Sequence, residues 1–560
     1  MVLIFLSWIL ILCFFVTTGT ALKAILKIES KGIFITTFLG LFTQCFILTC
    51  CSFFFKVGLS LFLINFFIQI LLFNWKKREI KDQIKDSFLD IKSLANFSKI
   101  SLLFILLFSL LKCAQLPFII DNESYYIQTI KWINDYGFVK GLANLHVFLA
   151  QNSPFHVLQA GFNFNFLTDR INDLNGLILL LSSTYFIIEF EKQYKKIYKI
   201  HWIGLVMVFN ILFFQFINSP SPDLIIILTT QIIIYFYLEK ENNLSNFKIS
   251  TIFLFSLFFI KITIAPFGLL LLFILNNEKK RILCFGVCSS LFITVLILKN
   301  ILITGYPFYP TSFYKVNVDW RIPEETLDFI SSATINSGYF KGVVIKNTSL
   351  LIKLKSWILM PGINRIFNIG MVLLFIVTPF IKEFKSNRKI KVVYFILLIH
   401  FVLLLLSSPQ FRFFLPEFVF LFVLILNAIF HKINIEMNSI RVLLMLLILV
   451  PLVSIEFIDY KNFTNNKLHQ SKSKFSWGQL TIPEKNSKYP EIHFEIIKES
   501  NLHYYSPKDN FFFFGTANGE LPCVNKVQIE YFKQKFHYIP QMRTKDLKDG
   551  FYSKKVSENE

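Results

Sequence analysis

Residues 101–138 read SLLFILLFSLLKCAQLPFIIDNESYYIQTIKWINDYGF. The first twenty form an almost unbroken apolar run, about the length needed to cross a bilayer core. Two carboxylates, Asp121 and Glu123, follow where the run ends, then paired tyrosines and Trp132. Apolar runs of this kind recur along the chain. Backbone polar groups in lipid must be satisfied within each segment, so such runs are read as helices. The fold is therefore an all-α polytopic membrane protein. The open question is whether Asp121 caps a helix at a membrane exit or faces something at the membrane surface.

Composition supports the same class. Of 560 residues, 54% are hydrophobic and only 17% are charged, with a mean hydropathy of +0.56. A soluble domain carries about 25% charged residues. The formal charge of +21 does not point to nucleic acid. The basic residues gather in short loops between apolar runs, as the positive-inside rule requires, and no nucleic-acid-binding motif accompanies them. Seven of the eight cysteines lie in or beside apolar runs, where cysteine acts as a small hydrophobe. No Cys/His ligand spacing is present, so no metal site is expected.

Apolar runs predict spans near 2–20, 33–54, 58–74, 100–119, 174–190, 202–218, 224–238, 249–276 (as two pieces), 282–303, 365–381, 392–406, 414–430 and 442–457. This gives about 13–14 membrane segments. Four basic loops, WKKREIKDQIKD (75–86), EKQYKKIYK (191–199), NNEKKR (276–281) and KEFKSNRKIK (382–391), fall on one side of this layout. Their Lys/Arg bias makes that side cytoplasmic. The loops 120–173, 217–223, 305–364 and 407–414 and the polar region 458–560 then lie outside. The first apolar run has no preceding Lys or Arg, so it reads as a retained span with the N-terminus outside. The expected location is a bacterial inner (plasma) membrane, with both termini extracytoplasmic. Three regions follow: N-terminal spans and a basic loop (1–99), a transmembrane core (100–457) and an extracytoplasmic, loop-rich C-terminal region (458–560).

On the external side, Asp121 has the residue type and position of a helix N-cap. The segment behind it sets Tyr126, Ile130 and Ile133 against Gln128, Lys131 and Asp135, the pattern of an amphipathic helix in the interface plane. The competing reading is catalytic: a partly desolvated carboxylate is tuned toward use as a general base. Cations on the same side would serve a phosphate. Arg412 stands in SSPQFRFF (407–414), Arg321 in VDWRIP, and Lys261 interrupts FFIKITIAPF where a helix breaks. Boundary charges of this kind are costly and often functional, although Lys and Arg also snorkel to headgroups. Gln410 makes a polar break beside Arg412. His146, His156 and Tyr125 share a loop with Asp121 and are candidate substrate contacts. Asp223 reads as the cap of the next span.

The segment DNESYY resembles the acidic motif in the first extracytoplasmic loop of GT-C-type glycosyltransferases. The chain as a whole is similar to an uncharacterised family of bacterial multi-spanning membrane proteins. That similarity is carried by DNESYYIQTIKWINDYGFVKGLANLH (121–146), ITGYPFYP (303–310), SSPQFRFF (407–414) and RTKDLKDGF (543–551). The resemblance implies a GT-C-like helical bundle that uses a polyprenyl-phosphate sugar donor and a glycan or lipid acceptor among membrane lipids. It implies Asp121 as catalytic base, with Glu123 as its partner or replacement. Arg412, Arg321 and Lys261 would hold the donor phosphate. No cofactor is firmly implied; some GT-C enzymes are metal-dependent, and the resemblance allows a divalent cation shared by Asp121, Glu123 and another external acid. Two other classes stay open: a transporter or flippase of lipid-linked saccharides, and a glycan polymerase or ligase.

Overall fold

The computed structural model describes residues 1–30, 32–340, 349–457, 475–489, 491–508 and 511–556, with side chains of the last bundle helix described to residue 450. Residues 341–348 of the expected loop 305–364 and 458–474 of the C-terminal region lie outside the described residues. The fold is a helical bundle bearing a small mixed C-terminal region. Among the described residues, nine helices are long and apolar enough to cross a membrane, from Val2–Leu26 to Phe411–Ile433. Shorter apolar helices and the buried helix Asp223–Glu239 fill the bundle. Many of the remaining segments expected from the sequence are these shorter helices. Residues 202–216 alternate α and 3-10 turns. The run 249–276 is split by Lys261 and a 3-10 stretch, Ile262–Gly268, containing Pro266.

The first two helices pack backbone to backbone. A Cβ on Gly19 would stand 1.9 Å from the Thr36 carbonyl oxygen, and one on Gly40 would stand 1.7 Å from that of Phe15. Small residues permit such close approach where lipid supplies no hydrophobic drive between helices. The third helix, Leu59–Lys92, exposes Leu63, Ile64, Phe67 and Leu71. Side-chain amides tether it: Gln44 donates to Thr18, Thr18 to Gln69, Gln69 to Asn65 and Asn65 back to Gln44, at 2.8–3.0 Å. The basic stretch 75–86, expected as a loop, continues this helix past a kink at Lys76. It has no Gly or Pro, is rich in helix formers, and carries a Lys76–Glu79 pair at 2.7 Å.

The segment after Asp121 departs from the expected interfacial helix. A short π-helical turn, Asn122–Tyr126, leads into the helix Ile127–Tyr136, and both are largely buried. The polar side is covered by the C-terminal region: Gln128 donates to the Gly519 carbonyl at 2.8 Å, and Lys131 to Asn518 and Gly519 at 3.0 and 2.9 Å. That region consists of the antiparallel hairpins Phe494–Glu499/Leu502–Pro507 and Tyr538–Met542/Phe551–Lys555, with the helix Lys526–Phe536 between them.

The two ends of the bundle differ in chemistry. At one end the Met1 amino group donates to Gln479, Glu484 N to the Ala114 carbonyl, Gly141 N to Leu302, and Trp357 to Pro409. At the other, the basic segments meet one another and their partners. Lys192 pairs with Asp90, Lys240 with Glu189, and Arg441 with Glu191; Arg281 bonds Asn242 and Lys389 the Leu238 carbonyl. Three of the four basic segments expected on one side thus meet at one end, and the fourth, 75–86, lies in the helix whose Asp90 joins them there.

Candidate functional site

Four breaks in helical structure converge at the end opposite the basic segments. Asp121 precedes the π turn with helical backbone angles, and its side chain makes no cap bond. Its Oδ2 instead accepts from Arg412 Nη1 at 2.5 Å. Arg412 sits in the 3-10 turn Phe411–Phe414 after Pro409. Trp357 donates to the Pro409 carbonyl at 2.9 Å, fixing that turn. Arg412 Nε also donates to Gln410 Oε1 at 3.0 Å and lies 3.8 Å from Asp223 Oδ2.

Asp223 begins the helix Asp223–Glu239 after the turn INSPSP, which Asn175 holds by donating to the Ser219 and Ser221 carbonyls at 2.8 Å. The Asp223 side chain does not cap that helix; its Oδ1 accepts from Lys261 Nζ at 2.5 Å. A carboxylate only 4% exposed gains more from a cation than from a backbone N–H. Lys261 stands where the helix Leu244–Ile260 ends, and Ser153 Oγ donates to the Ile260 carbonyl at 2.9 Å. The Lys261 ammonium lies 3.6 Å from the Phe413 ring centre and the Arg412 guanidinium 5.1 Å from it, a cation–π platform.

Two carboxylates and two cations thus alternate as Asp121, Arg412, Asp223 and Lys261, with no net charge. Beside them lies a small cleft, lined by Asp223, Lys261, Thr263, His400, Arg412 and Phe413 among others, with free space of about 10 Å³, close to that of one water. A larger group would have to part the charged side chains to enter.

The other sequence-derived candidates are placed differently. Glu123 is fully buried and turned toward the C-terminal region. Its carboxylate accepts from Ser487 Oγ at 2.7 Å, Asn122 Nδ2 at 3.0 Å and Lys488 N at 3.1 Å. Burial nonetheless raises its pKa above the usual carboxylate value. Arg321 donates to the Val316 carbonyl at 3.2 Å and makes no ion pair with the cluster among the described residues. His146 Nε2 donates to the Phe514 carbonyl at 3.2 Å while its Nδ1 accepts from Phe148 N. Burial pushes its pKa down to about 4. His156 completes a capping box with Ser153 and packs 4.8 Å from the Tyr126 ring; burial pushes it to about 3. Both imidazoles are neutral at physiological pH. Tyr125 is buried and donates to Gln151 Oε1 at 3.3 Å. Among the described residues no group of three or more His, Cys, Asp or Glu side chains is placed to hold a metal ion.

Sequence reasoning missed a buried pair near the cleft, His400 with Glu417. Both residues stood as ionisable groups within apolar segments, LLIHFVLL and LPEFVFLF, which is itself a functional signal.

The fold and this site define a mainly helical protein with several candidate membrane spans and a charged cleft at one end. By a match over residues 1–422, the chain belongs to the family described as Domain of unknown function (DUF8201). No curated protein and no solved structure matches it.

Proposed function

We propose that this protein is an integral membrane glycosyltransferase. It would move a sugar from a polyprenyl-phosphate donor to a glycan or lipid acceptor on the extracytoplasmic face. The sidedness follows from the basic segments at the opposite end. The observation that carries the reading is the contact of Asp121 with Arg412 beside the cleft that Lys261 also lines. Reacting groups have to converge on one substrate, and the nearness of Asp121, Arg412 and Lys261 supports reading them as base and phosphate-binding cations.

In the unliganded state Asp121 is the counter-ion of Arg412. A donor phosphate entering the cleft competes for the guanidinium, which suits bidentate binding of phosphate oxygens. Arg412 turning to the phosphate frees the Asp121 carboxylate. The acceptor hydroxyl then gives its proton to Asp121, and its oxygen bonds the anomeric carbon. The bond from that carbon to the phosphate oxygen breaks, so polyprenyl phosphate leaves and configuration inverts. Arg412 and Lys261 stabilise the leaving charge. Glu123, with its oxygens taken by Ser487, Asn122 and Lys488, positions the C-terminal region over the site.

The test is transfer of labelled sugar from a polyprenyl-phosphate donor in membranes containing Asp121→Asn. The variant is expected to insert and accumulate normally while transfer falls by about two orders of magnitude or more, the usual worth of a general base. Transfer at the wild-type rate would rule out Asp121 as base.

Transport of lipid-linked saccharides draws support from one observation, the ionised-type pair His400–Glu417 buried between helices behind the cleft. Transporters place such groups along a path through the bundle. Movement of a fluorescent lipid-linked sugar between leaflets of a proteoliposome, without transfer, would favour this reading.

A further inference from the structure

The phosphate reading leaves one strongly polar group beside the cleft unused. His400 is 1% exposed and Glu417 is fully buried. His400 Nδ1 is hydrogen-bonded to Glu417 Oε1, and the Phe267 ring packs on the imidazole edge at 5.1 Å. His400 lines the cleft together with Lys261 and Arg412. Its Nε2 is buried and has no hydrogen-bond partner among the described residues. A buried polar nitrogen without a partner is costly.

One proton lies between Glu417 and Nδ1. A second proton makes the pair neutral whether it sits on Nε2 or on Glu417 Oε2, which also has no partner among the described residues. With the proton on Nε2 that nitrogen donates; with it on Oε2 it can only accept. An anion in the cleft is met by the first arrangement.

We infer that His400, held by Glu417, is a third donor to the phosphate group taken by the cleft, acting with Arg412 and Lys261. Glu417 is the positioning residue that fixes the ring, as carboxylates do behind functional imidazoles. The inference rests on the phosphate reading above and adds a contact that Asp121, Arg412 and Lys261 do not supply.

The test uses full-length protein in detergent, with farnesyl phosphate and farnesol as probes that differ only in the phosphate. Two variants are compared with wild type. His400→Asn keeps a partner for Glu417 and removes the atom at Nε2. His400→Phe/Glu417→Leu replaces both partners by apolar groups, so neither is left unpaired. Wild type is expected to prefer farnesyl phosphate. Each folded variant should bind it roughly 10- to 100-fold more weakly, the worth of a hydrogen bond to a charged group, with farnesol unchanged. If both variants keep the phosphate preference, or lose both probes equally, His400 is not a phosphate donor. If Arg412→Gln abolishes the preference while His400→Asn retains it, the inference fails and the phosphate site stands. If wild type shows no preference, the phosphate site fails and the inference falls with it.

Discussion

Replacing Lys261 by methionine removes the cation that Asp223 holds at 2.5 Å. The Asp223 side chain is 4% exposed and Lys261 21%, so the pair is desolvated mainly on the carboxylate side. Breaking a fully buried pair costs about 3–5 kcal/mol because one charge is left uncompensated. Lys261 is partly exposed, and Arg412 Nε, 3.8 Å from Asp223, takes over part of the attraction. The expected cost of Lys261→Met is therefore at the low end, about 3 kcal/mol. Adding Asp223→Asn removes the stranded charge, and the double variant should lose only about 1 kcal/mol. Asp121→Asn should also be mild, because Arg412 retains Asp223. Unfolding in mixed micelles with increasing sodium dodecyl sulfate, followed by tryptophan fluorescence, gives these differences directly. The decisive outcome is the order: the double variant must be more stable than Lys261→Met alone. If the two are equally destabilised, Asp223 is not held as an ion by Lys261, and the alternating cluster is wrongly described.

The close contact of the first two helices predicts that Gly19→Leu yields no monodisperse protein on gel filtration, since its Cβ would lie 1.9 Å from a carbonyl oxygen. Gly286→Ala, with nothing within 4 Å, should accumulate normally, and equal behaviour of the two would refute the packing. His146 ties the loop after Asp121 to the C-terminal region, and its pKa falls from 6.5 to about 4 through burial. Below its ordinary value the unfolded segment takes up a proton that the docked one refuses. Docking therefore weakens as pH falls from about 6.5 toward 4 and is fully present above that window. Proteolysis of the C-terminal region should be faster at about pH 4.5 than at pH 7, and His146→Gln should flatten that difference. A wild-type rate that does not change with pH would remove His146 from the docking contact.

The bundle was legible because its signal is local. Long apolar runs and basic turns report on lipid and charge without any knowledge of packing, and span centres follow from them. Lys261 was legible for the same reason, as a charge inside an apolar run. Asp121 was legible as a charge where an apolar run ends, but its contact with Arg412, 291 residues away, was not, because no local pattern encodes that pairing. The same limit explains Asp223, which carries the residue type of a cap and serves as a counter-ion instead. The helix behind Asp121 showed a correct amphipathic pattern with a misassigned partner: its polar face meets the carbonyls of Asn518 and Gly519, not water or headgroups. Glu123 is the sharpest case, since Asp121 and Glu123 are two residues apart and their carboxylates serve different neighbourhoods. The π turn between them has no signature in composition or periodicity.

The way the four charges are held argues for a site rather than a brace. At the basic end, Arg441 and Glu191 make a bidentate pair at 2.6–2.8 Å between helices that run through without a break. Stability alone is served in that way. At the cleft, each charge stands at an interruption: the π turn after Asp121, the proline turn before Asp223, the break at Lys261 and the 3-10 turn that holds Arg412. Interruptions free backbone groups that must be satisfied inside the protein, and helices at membrane depth tolerate them chiefly where they line a cavity. Asn175, Ser153 and Trp357 satisfy the freed carbonyls one by one. Three of the four breaks are bonded in this way, and the four charges they bring together beside a cleft fit the proposed binding of an ion that is not part of the chain. The alternation of signs makes the cluster neutral, and on the proposed reading the release of Asp121 from Arg412 is the change that the ion's arrival would bring.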